Sequence, residues 1–274
     1  MTKHVRVWLL MIVGAATAVF FLFPYFVMFL TALKPDSELV TVPPKLFPEH
    51  WDFKNFVDVW KAAPIGRNLV VTLIVAGAST VISVAAALPA AYYTARHRFR
   101  GRQSFLYLVL ITQMFSPIAL LVGLYREFLQ VGLIDSVWSL VITNAAFNLA
   151  FTIWLLNAYF DSIPVELEQA AWVDGASRLK TLTQIIMPLA LPGLVTAVIF
   201  SFISAWNEYV IALTLINSAH NQPLTVGVTA FIGLNHTAWQ YLFAASLLAI
   251  VPVVILFGLI ERYLVSGLTA GAVK

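Results

Sequence analysis

Two scarcities bound what this chain can be. It contains no cysteine, and only 11% of its 274 residues are charged, as 16 Lys and Arg and 13 Asp and Glu. The first excludes disulfides, zinc–thiolate sites and thiol nucleophiles. The second excludes the polar shell that a water-soluble chain of this length requires, since a globular domain carries about 25% charge. A soluble enzyme, a nucleic-acid binder and a disordered chain are all excluded on that ground. The formal net charge of +3 is too small to attract a polyanion such as nucleic acid. The histidines (His4, His50, His97, His220 and His236) all fall in tails or loops, and no two make a metal-binding pair four residues apart. There is no Gly-x-x-x-x-Gly-Lys-Ser/Thr loop to bind a nucleotide. What the chain does have is apolar residues: 61% are hydrophobic and the mean hydropathy is +0.88. The bilayer is the solvent that fits such a composition.

A hydrocarbon core about 30 Å thick requires about 20 mostly apolar residues in helix. Six stretches meet this: residues 8–33, 69–94, 104–125, 137–160, 185–213 and 239–264. They are continuous rather than alternating, which predicts helices and not a barrel. The expected fold is an all-α polytopic membrane protein with six transmembrane helices in a single domain over residues 1–274. The first run is too long for a signal-peptide core and has no clear small-residue cleavage site, so it reads as a retained helix. Pro24, Pro89, Pro117 and Pro252 lie in or beside these runs. Membrane helices tolerate proline because neighbouring groups satisfy the freed carbonyls.

Basic residues set the orientation. Lys3 and Arg6 precede the first span. Arg96, Arg98, Arg100 and Arg102 follow the second, and Arg178 and Lys180 follow the fourth. The stretch from Thr214 to Ala238 has no Lys or Arg. Both termini are therefore expected in the cytoplasm. The extracytoplasmic segment 34–67 is a partial exception, with five basic residues balanced by five acidic ones. Its aromatics (Phe47, Trp51, Phe53, Phe56 and Trp60) read equally well as an interfacial belt or as a docking surface for an external partner, with a short amphipathic helix around Phe53 to Lys61.

Residues 161–184 form the most informative loop. Pro164 suits a first helical turn, Glu166 and Glu168 favour its positive end, and Gly175 ends the helix. Ser177 can cap a second helix that runs through Arg178 and Lys180 toward Pro188. A cytoplasmic helix carrying Leu167, Ala170, Ala171 and Trp172 has an apolar face and no membrane to bury it, which calls for a partner protein. The spacing Ala170-Ala171, three residues, Gly175, nine residues, Ile185, then Met187-Pro188 resembles the EAA loop of ATP-binding-cassette importer permeases. Gln169 stands at that motif's usual glutamate, with Glu168 one place earlier, and Met187 replaces leucine. Asp174-Gly175-Ala176-Ser177, the run Trp206-Asn207-Glu208-Tyr209 and the C-terminal Gly267 to Lys274 extend the resemblance over the chain. It is closest to the second permease subunit of the maltose-type carbohydrate importers.

That resemblance implies a type I importer permease fold. It implies that Glu168, Gln169, Ala170, Ala171, Asp174, Gly175 and Pro188 couple to an ATPase. It also implies that the tail residues Gly267, Thr269, Gly271 and Lys274 reach the ATPase dimer. The expected partners are a second related permease in a heterodimer, two copies of a nucleotide-binding ATPase, an extracytoplasmic substrate-binding protein and membrane lipid. The chain itself is expected to hold no cofactor, with ATP and Mg²⁺ bound by the partner subunits.

Polar residues within the spans are the candidate substrate pathway: Gln113, Asn144, Asn148, Ser204, Trp206, Asn207, Glu208 and Tyr209. Planar hydrogen-bonders suit sugar hydroxyls and aromatic faces suit sugar C–H surfaces. The same residue types also bond helix to helix, for about 0.6 kcal/mol each. Glu208 is the one clear carboxylate inside an expected span. It can snorkel, pair with a partner subunit or border an outer gate. The expected cargo is a disaccharide or short oligosaccharide, with an amino sugar, a polyol or a glycerophosphodiester as alternatives. An ion-coupled secondary transporter would require ionisable residues near mid-membrane, and Glu208 alone is thin support for one.

Overall fold

The computed structural model describes residues 3–270, and they are helical almost throughout. In chain order the α-helices are α1 (Lys3–Ala32), α2 (Asp36–Leu39), α3 (Asn55–Ala62), α4 (Ile65–Arg96), α5 (Arg102–Thr112), α6 (Pro117–Gln130), α7 (Val137–Ser162), α8 (Glu166–Val173), α9 (Arg178–Thr181), α10 (Met187–Leu189), α11 (Leu191–Trp206), α12 (Val210–Leu215), α13 (Leu224–Gly227) and α14 (Trp239–Ala270). A π-helical turn, Leu182–Ile186, links α9 to α10, and a 3₁₀ turn, Val228–Phe231, follows α13. Among the described residues, four helices are long and apolar enough to cross a bilayer, over His4–Ala32, Ile65–Arg96, Val137–Ser162 and Trp239–Leu259.

The third and fifth apolar runs differ from the single helices expected of them. The third is two helices, α5 and α6, set at 89°. Pro117 is the reason. It stands in the first turn of α6 and pushes Ser116 into an extended conformation (ψ 128°), so no helix can run through that point. The fifth bends by 75° between residues 178–189 and Leu191–Trp206, with Pro192 opening α11. Pro188 accounts for the π-helical turn before that bend. A proline ring clashes with the carbonyl four residues back, and widening the turn makes room, so that the Met187 N–H bonds Leu182 O, five residues back.

Hydroxyl groups on these apolar helices turn back onto their own backbones. Thr72 donates to Asn68 O (2.9 Å), Thr143 to Ser139 O (2.7 Å) and Ser246 to Leu242 O (2.8 Å). Such bonds satisfy a hydroxyl where no water is present.

The chain divides into two compact units, Met1–Gly66 with Gly227–Pro252, and Arg67–Val226 with Val253–Lys274. In the first, buried Asn55 opens α3 and donates to Ala32 O and Lys34 O, both at 3.0 Å, which ties α3 to the end of α1. Glu38 accepts from the Glu49 and His50 N–H groups at 3.0 and 2.9 Å. Desolvation opposes its ionised form, but these bonds and the His50 ring outweigh it and hold the Glu38 pKa below its ordinary value. His236 pairs with Asp36 at 3.2 Å.

The second unit holds two apolar cores. One gathers around Val71, Leu140, Val141, Ile211 and Leu215, the other around Ala87, Ala91, Leu156, Phe160 and Ile186. Alanines on α4 and Gly193 on α11 let helices come close: a Cβ at Gly193 would overlap the Tyr159 ring. The helix ends alternate within this unit as a serpentine of spans requires. At one end Arg67 donates to His220 O (3.2 Å) and Asp135 accepts from the Asn217 and Ser218 N–H groups (3.0 and 2.9 Å). At the other, Arg102 pairs with Asp161 (3.2 Å) and Arg96 with Glu168 (2.5 Å).

Asp135 is the staple of the first of these ends. It sits at φ +61°, takes a third bond from the Ser218 hydroxyl (2.9 Å), and its own N–H reaches Leu215 O (2.9 Å). The Ser218 N–H lowers its pKa most. Desolvation opposes this, and the Ser218 hydroxyl and Asn217 N–H add to the lowering. The folded value lies below the unfolded one of about 3.9. The stabilisation is therefore complete above that value and is lost as pH falls through the folded pKa. We expect Asp135→Ala to cost about 1–3 kcal/mol, read as a lower Tm of the detergent-solubilised protein. Asp135→Asn should flatten the acid limb of a Tm-against-pH curve, and an unchanged limb would show that Asp135 does not carry it.

Candidate functional site

The loop singled out by its sequence folds as two short helices with defined ends. Gly175 lies at φ +82°. The Ala176 N–H bonds Ala171 O (2.9 Å) and the Gly175 N–H bonds Trp172 O (3.1 Å), the paired bonds of a Schellman stop. The Ser177 hydroxyl accepts the Lys180 N–H at 3.3 Å and caps α9. Arg178 lies over the Trp172 ring at 5.6 Å, which braces α9 against α8.

The faces of α8 sort its residues sharply. Glu168 and Ala171, three apart, point inward and are buried. Leu167, Gln169, Ala170, Trp172, Val173 (87% exposed), Asp174 and Gly175 are exposed. Leu179 on α9 is exposed as well. The outward surface is therefore apolar at its centre and has no carboxylate at residue 168. That carboxylate accepts from Arg96 Nε (2.5 Å) at Oε1 and from the Tyr92 hydroxyl (3.0 Å) at Oε2. Tyr92 and Arg96 lie one helical turn apart on α4, and neither was among the expected site residues. A signal for them existed: Glu168 shares the i, i+3 stripe of α8 with Ala171, and a carboxylate on a buried stripe requires a cationic partner. Pro188 lies just beyond the π-helical turn.

The candidate pathway residues divide into two groups. Asn144 is buried and donates to Leu140 O within its own helix (2.9 Å). Asn148 is buried and donates to Ser201 O on α11 (3.3 Å). Around it Thr152 meets the Ser201 hydroxyl at 3.1 Å and Ser83 meets Thr152 at 3.4 Å, a polar seam joining α4, α7 and α11. Trp206 is buried against Ala76 and Ala205 with Phe202 stacked on it (centroids 5.6 Å apart). Ser204, Asn207 and Tyr209 are exposed. Gln113 is exposed too, and its amide donates to Phe147 O (2.9 Å). Two exposed aromatics that the sequence reading passed over, Phe200 and Trp154, share these helices, and Phe200 stacks on Phe151 with centroids 3.8 Å apart.

Glu208 has a local task. Its carboxylate accepts the Ile211 N–H at 2.7 Å and the Ala212 N–H at 3.0 Å, which satisfies the free end of α12. Its carbonyl accepts from Thr225 Oγ1 at 2.7 Å. Of the tail residues, Gly267 and Thr269 fall in the last turns of α14, and Gly271 and Lys274 lie outside the described residues. Among the described residues, no cluster of three or more His, Cys, Asp or Glu side chains is placed to hold a metal ion.

Long apolar helices and sharply bent helix pairs define the class: a helical multi-pass membrane protein. Residues 83–270 match the family described as binding-protein-dependent transport system inner membrane component, and the chain belongs to it. It is 37% identical over 255 residues to the inner membrane ABC transporter permease protein YcjP of Escherichia coli (strain K12), spanning 92% of this chain and 91% of that protein. It is 33% identical over 278 residues to the trehalose/maltose transport system permease protein MalG of Thermococcus litoralis, spanning 100% and 99%. Its fold is that of a chain in the crystal structure of a bacterial ABC transporter involved in the import of the acidic polysaccharide alginate, with a TM-score of 0.80 at 24% identity, covering 96% of this chain and 98% of that one. The chain is thus a multi-pass inner-membrane permease subunit and not itself an enzyme.

The cap geometry separates two roles for Glu208. Glu208→Ala should cost about 1 kcal/mol through the lost cap, read as a lower Tm, whereas Glu208→Gln keeps one of the two acceptors and should lose only part of that. Transport abolished by Glu208→Gln in a fully stable protein would instead mark the carboxylate as a titrating group.

Proposed function

We propose that this chain forms one wall of the translocation pathway of an ATP-driven carbohydrate importer. A second, related permease would supply the other wall in a heterodimer. Two copies of an ATPase would bind ATP and Mg²⁺ outside this chain, and an extracytoplasmic binding protein would deliver a disaccharide or short oligosaccharide. The observation that carries the reading is α8. Its exposed side carries Leu167, Ala170, Trp172 and Val173, with Val173 most exposed, between polar Glu166, Gln169 and Asp174, while Glu168 is turned inward, so the helix presents an apolar centre with a polar rim, as a docking surface does. The names of the relatives point to sugars as cargo, and the family description names a binding protein as partner.

Docking of α8 in a cleft of the ATPase gives the mechanism. Closure of the two ATPases on ATP would displace α8, and the spans would rock between inward and outward openings. Docking of the loaded binding protein on the other side would favour the outward-open state. Exposed Ser204, Asn207 and Tyr209 supply hydroxyl and amide groups of the kind a sugar needs, on a surface left for a second chain to complete. Buried Asn148 and Trp206 act between helices instead, and buried Asn144 bonds within its own helix. Capping of α12 accounts for the Glu208 carboxylate without a proton-relay role, which favours ATP over an ion gradient as the energy source.

Val173→Asp would bury an unpaired charge in the docked state. We expect it to reduce co-purification of the ATPase at least about tenfold, equivalent to about 1.4 kcal/mol, with membrane insertion unchanged. Gly175→Val should act in the same direction by straining the φ +82° stop by about 1–2 kcal/mol. Undiminished co-purification in both would remove the docking role from α8. For the pathway, Asn207→Ala should change uptake of the sugar that the cognate binding protein carries while the assembled complex keeps its composition. Unchanged uptake would remove Asn207 from the pathway.

A further inference from the structure

The pair beneath α8 is built for direction rather than for stability. The side chains of Arg96 and Glu168 are 5% and 2% exposed. Removing two charges from water costs several kcal/mol each, and well-packed apolar side chains of the same size usually serve stability as well or better. The geometry is also not the one that maximises attraction. Arg96 offers only Nε to the carboxylate, Tyr92 takes the second oxygen, and the buried Arg96 Nη2 makes no hydrogen bond. A fork-to-fork arginine pair would have used two guanidinium N–H groups on the two oxygens.

The arrangement does fix one helix to another. Both donors come from the last two turns of α4, one turn apart, so they seize both oxygens of one carboxylate on α8 and leave it little freedom to rotate. Tyr92 is held in turn by Phe160 at the end of α7, edge to face, with centroids 5.7 Å apart at 83°. Elsewhere α8 rests mainly on short elements: Arg178 on Trp172, and the π-helical turn beside α9. Among these contacts, the Glu168 link alone is a charged bond from α8 to one of the long apolar helices.

We propose that Arg96 and Tyr92 are positioning residues that lock α8 onto the end of α4 through Glu168, so that displacement of α8 by the ATPase is delivered directly to α4. This rests on the reading of α8 as the ATPase-docking helix. The inward carboxylate would transmit the motion, and the outward apolar face would receive it. Removing the link would therefore leave the ATPase bound and hydrolysing while the pathway ceased to follow it.

The absence of cysteine provides the test, since Ser204→Cys would be the one thiol in this chain. The probe is a membrane-impermeant maleimide applied to the full complex in vesicles, with and without ATP and vanadate, alongside ATP hydrolysis and co-purification. In the Ser204→Cys parent, trapping with ATP and vanadate should change the labelling rate about fivefold or more. The apolar replacement Arg96→Met with Glu168→Leu should abolish that change while ATPase subunits remain bound. Tyr92→Phe, which removes only a hydroxyl, should reduce it, and the swap Arg96→Glu with Glu168→Arg should restore part of it. A full response in the apolar double variant overturns the proposal. So does loss of ATPase binding in that variant alongside a full response in Tyr92→Phe, since the pair would then only shape the docking surface. A parent whose labelling ignores ATP sinks the underlying reading of α8, and the proposal with it.

Discussion

Inside an apolar solvent every polar group must find its partner within the protein, and this constraint organises the molecule. It turns the Ser and Thr hydroxyls of the long helices back onto carbonyls one turn earlier, as at Thr72, Thr143 and Ser246. It draws Asn148, Thr152, Ser201 and Ser83 into one seam across three helices. It commits the Glu208 carboxylate to the start of α12 and the Glu168 carboxylate to Arg96 and Tyr92. Ser204 and Asn207, by contrast, lie on exposed faces.

Proline shows the same constraint at the level of the backbone. Pro24, Pro89 and Pro252 lie inside helices that continue through them. Pro117 and Pro192 instead open new helices after sharp bends, and Pro188 is accommodated by a π-helical turn. The difference lies in the flanking segments. Pro117 follows a turn at Gln113 to Phe115, where α5 has already ended, whereas Pro89 sits among alanines that favour helix on both sides. Of the bent elements, α9 and the π-helical turn abut α8, and α11 carries exposed Ser204.

The division of labour on α8 follows from its two faces. Residues 168 and 171 pack into the permease, and residues 169, 170 and 173 face outward. A glutamine at position 169 makes that outer surface less charged than the motif it resembles, and the exposed Val173 and Leu179 make it more apolar.

By itself the sequence determined the solvent, the helical class, the number and approximate limits of the apolar runs, and the ends of the short helices at Gly175 and Ser177. Each of these is a local property, set by hydropathy, by the positive φ that glycine tolerates or by a capping hydroxyl. Family membership was legible for the same reason, since the motif is a pattern of spacings along one loop. Only the tertiary structure decided which way each polar side chain points. Glu168, placed by the resemblance among the residues that couple to an ATPase, faces Arg96 across 72 residues of chain. Asn148 and Trp206, equally fit to line a pathway, are buried between helices, while Ser204 and Asn207 are not. A helix repeats every 3.6 residues but nothing along the chain states its rotation about its own axis. That rotation is settled by which neighbours pack against it, and with it the role of every polar residue the helix carries.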